Sequence, residues 1–131
     1  MIITTTRRRI FAVPTTTLKI SNYTDQTMWL VRSDNANGHW VGAPREALDP
    51  GQTEIVTAVA NTSSPTMPIS ISYDVGETGV VAHFNSANNY LGANTYGSGV
   101  VGDSADDFKV AAWIDSGVPN VYVGYILAEA D

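Results

Sequence analysis

Side-chain catalysis needs a nucleophile, a base and a group that orients the base, all within reach of one another. This chain has few candidates for those roles. It contains two histidines, His39 and His83, and no cysteine, which excludes thiol nucleophiles, thiolate metal ligands and disulfides. Neither histidine lies near a G-x-S-x-G elbow. Each precedes an aromatic residue, as His39-Trp40 and His83-Phe84, and reads as a ring neighbour with a polar tip. Asp103, Asp106 and Asp107 could ligate calcium together with backbone oxygens. Neither this cluster nor Asp34-Asn35-Ala36-Asn37-Gly38 has the EF-hand spacing with its distal Glu, so a solvated acidic loop is expected. No glycine loop is followed by a helical pattern of the kind that cradles phosphate. The expectation is a protein without a catalytic site, cofactor or resident metal.

Recognition is the chemistry the residue types do suggest. Residues 80–96, VVAHFNSANNYLGANTY, begin as an apolar run and break into asparagines, glycine and aromatics. Val80, Val81 and Phe84 suit a pleated, half-buried surface, whereas Asn85, Asn88, Asn89, Gly92 and Asn94 are residues that turns recruit. A strand ending near Asn85 and delivering a binding loop is the expected arrangement. In that loop Tyr90 and Tyr96 would pair rigid amphipathic rings with adaptable hydrogen-bonding groups, or else fold back and close the end of the core.

The elements around this loop read as short strands. Residues 17–23 (TLKISNY) alternate with period two, Asn22, Thr24 and Asp25 supply a turn, and residues 27–32 (TMWLVR) follow as a second strand that could pair with the first as a hairpin. Residues 33–38 (SDNANG) are a loop signal, Pro44 and Pro50 exclude a central strand, and Asp49-Pro50-Gly51 is built for a tight turn before a strand at 54–60. Residues 61–68 (NTSSPTMP) read as a surface loop. Along residues 69–75, Ile69, Ile71, Tyr73 and Val75 share one face and Ser70, Ser72 and Asp74 the other. GETG at 76–79 would close a hairpin onto the Val80 strand. Glycine and acids dominate 97–107, and closing strands are expected at 108–114 and 118–127. No stretch of helical length shows a 3.6 period. Strands at 8 to 12 residue spacing predict an all-β sandwich or closed barrel.

At 131 residues the chain has the length of one domain, expected to span 1–131 with 1–16 as a basic N-terminal arm. Its net charge of −6 argues against a nucleic-acid partner and against simple attachment to anionic lipid. Membrane binding would have to rest on head-group recognition and aromatic insertion. Four of the seven basic residues, Arg7, Arg8, Arg9 and Lys19, lie in the first 19 positions. The arginine run is either an arm docking on acidic surface of its own or another copy, or a solvated terminus. The apolar run at 10–13 is too short for a secretory h-region, and no window reaches the length of a membrane-spanning helix. Release from the cell without a recognisable signal peptide is the expectation.

Taken together, LKISNYTDQTMWL, GHWVGAPREALDPGQT and ISYDVGETGVVAHFNSANNYLGANTY resemble the aegerolysin family, including its insecticidal crystal-protein branch, within the wider actinoporin-like group of cytolysins. The resemblance runs over about residues 17–96 and rests on Asn22 and Thr24, Gly38 and Trp40, Pro44, residues 50–52, and Phe84, Asn85, Tyr90, Gly92, Asn94 and Tyr96. Departures from the pattern are NTSSPTMP in place of a Gly-rich stretch, Phe84 in place of tryptophan, and Asn85-Ser86-Ala87 in place of Asn-Pro. The resemblance implies a single-domain, antiparallel, two-sheet β-sandwich. It also implies a non-enzymatic protein that binds membrane lipid, in several members sphingolipid, often as one component of a pore-forming toxin that needs a second protein. On that reading Trp29, Trp40, Tyr90 and Tyr96 insert at head-group level, and Asn85, Asn88, Asn89 and Asn94 read the polar head. The alternative is a lectin-like glycan binder or a self-assembling homo-oligomer, with the same rings stacked on a sugar or on another copy.

Overall fold

The computed structural model of the protein describes residues 13–61, 66–89, 92–116 and 120–131. Ten strands run through them: β1 (Thr15–Tyr23), β2 (Met28–Asn35), β3 (Gly38–Gly42), β4 (Ala47–Leu48), β5 (Thr53–Ala60), β6 (Thr66–Val75), β7 (Val80–Asn89), β8 (Thr95–Val101), β9 (Phe108–Ser116) and β10 (Asn120–Glu129). Among the described residues the one helical element is a 3-10 turn, Ala105–Asp107. The strands form two five-stranded sheets, in the orders β3-β5-β1-β10-β9 and β4-β2-β6-β7-β8. Every pairing is antiparallel except that of β1 with β10. The architecture is an all-β two-sheet sandwich rather than a closed barrel.

Period-two alternation gives each sheet one buried face. Leu18 and Ile20 of β1, Val123, Tyr125 and Leu127 of β10, and Ile71, Tyr73 and Val75 of β6 are wholly buried. An aromatic seam joins the two sheets, with Phe84 of β7 4.9 Å from Tyr125 of the first sheet and 6.0 Å from Tyr73 of the second, centroid to centroid. The Tyr125 hydroxyl donates to the backbone carbonyl of Asn85, and the Tyr73 hydroxyl donates to Glu54 Oε1 across the core. Such buried hydroxyls need partners, and both have one.

The connection from β1 to β2 corrects the expected hairpin, because the two strands lie in different sheets. Asn22, fully buried, makes the crossing. Its Nδ2 donates to the carbonyls of Gln26 at 2.7 Å and Leu48 at 2.8 Å, while its Oδ1 accepts from the Thr24 N–H at 3.0 Å and hydroxyl at 2.7 Å. Its backbone also bonds Gln52 and Gly51, tying in the tight turn at 49–52. There Pro50 precedes Gly51 at φ +82 and the Gln52 N–H meets the Asp49 carbonyl at 3.0 Å, a type II turn.

Three further boundaries differ from expectation. β2 runs on to Asn35, and β6 starts at Thr66 instead of Ile69. Pro68 is accommodated because pairing with β2 ends at Ile69, leaving the proline a strand neighbour on one side only. β7 does not stop near Asn85 but continues to Asn89, paired with β6 as far as Thr66. The glycine-rich TYGSGVV is the edge strand β8. Thr15 and Thr16, counted with the basic arm by sequence, belong to β1, and the Arg7, Arg8, Arg9 run lies outside the described residues.

Candidate ligand-binding face

The outward side of the second sheet carries short polar residues where its inward side carries the core. Register sets Trp29, Asp74, Val81 and Val101 in one row across the sheet, Arg32, Ser72, His83 and Gly99 in the next, and Asp34, Ser70, Asn85 and Gly97 in the third. Pro68, Ala87 and Thr95 form a fourth. On the two middle strands these last two rows carry Ser70, Asn85, Pro68 and Ala87, and there the surface opens into a groove of about 300 Å³. Its lining is Asp34, Ala36, Pro68, Ile69, Ser70, Asn85, Ser86, Ala87 and Thr95.

Strands hold these groups more rigidly than loops would. Asn85 is exposed and its amide lies over Gly97, where a Cβ would come within 2.9 Å of Oδ1. Glycine at 97 is what leaves the amide room to lie over β8. Beside it Arg32 Nε is 2.7 Å from Asp34 Oδ2, an exposed pair of small energetic value that nevertheless sets both signs of charge at the groove edge. Ser72 Oγ and His83 Nδ1 are 2.7 Å apart. No carboxylate is hydrogen-bonded to that imidazole among the described contacts, so the pair lacks an orienter. His39 Nδ1 contacts Asn61 Oδ1 at 2.9 Å on the first sheet, away from the groove. Among the described residues no group of three acids or histidines is arranged to hold a metal ion, and Asp103, Asp106 and Asp107 are all exposed.

Of the residues singled out by sequence, Asn85 lines the groove and Trp29, 51% exposed, stands on the same face two rows away. The others lie elsewhere. Trp40 is in β3 of the first sheet and packs against the core. Asn88 points inward, 2% exposed, and its Nδ2 donates to the Thr15 carbonyl at 2.8 Å. Asn89 and Asn94 build the β7–β8 connection, the Asn94 Oδ1 accepting the Asn89 N–H at 2.7 Å and the Asn89 Nδ2 donating to the Ala93 carbonyl at 2.7 Å. Tyr96, 41% exposed, pairs with inward-facing Ser86 at the sandwich edge near Tyr125. Tyr90 lies outside the described residues. The groove residues that sequence did not single out include Asp34, Ser70 and Thr95. The alternation of β6 had already put Ser70 on the solvent side, whereas Thr95 depended on recognising β8.

No protein-family model matches the chain, and no curated protein matches its sequence. Solved structures do match. The chain is similar to the lipid-binding protein Nakanori, with TM-score 0.78 and 10% identity over 95% of this chain and 75% of that one. It is also similar to IP-1A from Alcaligenes faecalis, with TM-score 0.66 and 10% identity over 94% of this chain and 96% of that one. Likeness at such low identity is likeness of fold, because sites vary on a shared scaffold. The chain thus has the aegerolysin-type two-sheet β-sandwich fold that its sequence motifs resemble.

Proposed function

We propose that the chain is a membrane-lipid-binding, cytolysin-like protein that works as a single domain without catalysis and takes a polar lipid head group in the groove on the outer side of its second sheet. The groove itself carries this reading. An exposed amide at Asn85, hydroxyls at Ser70 and Thr95 and the carboxylate of Asp34 surround a floor of Pro68 and Ala87. Rigid polar groups over a small apolar floor suit a compact polar head. Asp34 beside Arg32 offers both signs of charge, which a zwitterionic head group would complement and a purely anionic one would not. Trp29, half exposed on the same face, is placed to enter the interfacial layer as the head group docks. The lipid binding in Nakanori's name supports the same reading. As one member of a pore-forming pair, the protein would bind vesicles without releasing their contents until the second protein is added.

Co-sedimentation with vesicles of zwitterionic lipid, with and without sphingolipid, tests the proposal. Asn85→Ala and Asp34→Ala should each weaken binding at least tenfold, about 1.4 kcal/mol, with unchanged melting curves. Full binding by both variants would refute the assignment of the groove.

A further inference from the structure

The outer side of the first sheet, on the opposite face of the sandwich, carries a second arrangement that head-group binding in the groove leaves unused. Register places Lys19, Gly124 and Trp113 in one row across β1, β10 and β9, and Thr17, Tyr122 and Asp115 in the next. Gly124 has no side chain, and the Trp113 indole occupies the space above it. A Cβ at Gly124 would fall 2.0, 2.2 and 2.3 Å from three consecutive atoms of the six-membered ring. Three bonded ring atoms at nearly one distance mean that the ring lies face-on over the glycine, since an edge-on ring would bring one atom much closer than its neighbours. One face of the indole is therefore packed on backbone while the other is turned to solvent, consistent with its 40% exposure.

The neighbouring row, Thr17, Tyr122 and Asp115, together with Asn120 and Val121, lines an open cavity of about 290 Å³, with Trp113 and Lys19 one row outside its lining. Tyr122 is itself 36% exposed. Lys19 and Asp115 take part in neither of the ion pairs found among the described residues. A flat open ring, a second aromatic and unengaged polar groups in two adjacent rows form a coherent surface, because cross-strand and diagonal neighbours on a sheet lie within side-chain reach.

We propose that Trp113 is the stacking platform of a sugar-binding site, with Tyr122, Asp115, Lys19 and Thr17 as its hydrogen-bonding rim. A pyranose has an apolar face of C–H groups and a girdle of hydroxyls. The C–H face complements the electron-rich face of an indole, and the hydroxyls both donate and accept, as a rim holding an ammonium, a carboxylate and hydroxyls requires. A purely apolar occupant would strip water from Lys19 and Asp115 without replacing it. The same ring could be the head of a glycolipid or part of a soluble glycan. The site is separate from the groove and does not depend on lipid binding there.

The test uses the full chain against immobilised oligosaccharides ending in galactose, glucose, mannose or N-acetylglucosamine, and against phosphatidylcholine vesicles with and without lactosylceramide. The wild type should bind at least one saccharide, or bind the lactosylceramide vesicles more strongly than those of phosphatidylcholine alone. Binding to the immobilised saccharide marks a soluble-glycan source, and a gain seen only with lactosylceramide marks a glycolipid. Either way Trp113→Ala should weaken that saccharide-dependent binding at least tenfold and Trp113→Phe should retain part of it, while both variants keep the wild-type binding to vesicles of phosphatidylcholine alone. Asp115→Asn, which keeps the platform, provides a second variant whose melting curve should match the wild type while binding falls. Absence of any saccharide-dependent binding by the wild type would overturn the proposal, as would undiminished binding by folded Trp113→Ala or Asp115→Asn.

Discussion

Asn22 shows what one buried amide can hold in place. All four of its side-chain contacts are to groups of the β1–β2 crossing and the neighbouring Leu48 carbonyl, so each donor and acceptor is matched. Removing the amide leaves the Leu48 carbonyl without that donor and the Thr24 N–H without that acceptor in a buried site, while the Gln26 carbonyl keeps the Thr24 hydroxyl at 3.0 Å, and stranded buried groups cost about 1–3 kcal/mol each. Asn22→Ala should therefore lower stability by about 2–4 kcal/mol, measured by urea denaturation, and Asn22→Asp should not rescue it because a carboxylate presents acceptors to carbonyls. A loss below about 1 kcal/mol would show that the crossing is held by other contacts. The sequence marks Asn22 as a turn residue beside Thr24 and as part of the family resemblance, but not as the tie across the crossing, because that role depends on Leu48 of β4, distant in sequence.

At the level of elements, β6 is where alternation in sequence and burial in space agree most closely. Ile69, Ile71, Tyr73 and Val75 all face inward, and Asp74 faces solvent. Ile71→Ala should cost about 2–5 kcal/mol, as large-to-small changes in closed cores do. Alternation alone makes Ser72 a silent position, yet the residue is 8% exposed and bonded to His83. Ser72→Ala should therefore cost about 0.5–1.5 kcal/mol. Chemical denaturation of the two variants side by side checks both, and an equal loss in each would contradict the assigned facing of the strand. β8 was not legible for the opposite reason. Glycines at 97 and 99 weaken any strand signal, and an edge strand with one hydrogen-bonded neighbour is specified by its pairing to β7 more than by its own residues. The aromatic and asparagine stretch at 85–96 accordingly has the composition of one loop, whereas it spans the end of β7, a short connection and the start of β8.

For the whole molecule, the buried hydroxyls of the aromatic seam make stability depend on alkaline pH. Burial raises Tyr73 well above the ordinary tyrosine range, and its bond to Glu54 and the charge of that residue add to the shift. Burial likewise raises Tyr125, with a further contribution from Tyr96. A raised folded-state value means that below about pH 10 both folded and unfolded chains keep the phenolic protons and stability is whole. Above about pH 10 the unfolded chain releases protons that the folded chain retains, so stability falls as pH rises, by up to about 1.4 kcal/mol per pH unit for each tyrosine. Denaturation midpoints should hold steady to about pH 9.5 and decline beyond it. Tyr73→Phe should be less stable at neutral pH, since Glu54 loses a buried donor, and should decline less steeply in alkali. Equal alkaline slopes in the two proteins would remove Tyr73 from this account.

Much of the scaffold could be read from residue order alone. Period-two runs in β1 and β6, the Asp49-Pro50-Gly51 turn, the absence of any helical period and the lack of cysteine all act within a few residues of one another, and together they determined an all-β chain without thiol chemistry. The motifs resembling aegerolysins pointed to the same two-sheet sandwich, which is the fold observed. Tertiary structure alone decided which residues of different strands share a face. The parallel pairing of Thr15 with Asn120 and the row joining Asp34, Ser70, Asn85 and Gly97 bring together residues far apart in the chain. A strand's own alternation says which side chains share a face but not which strand lies beside it, so register, set by core packing and hydrogen bonding between distant segments, put Asn85 in a groove, Asn88 in the interior and Trp113 flat over Gly124.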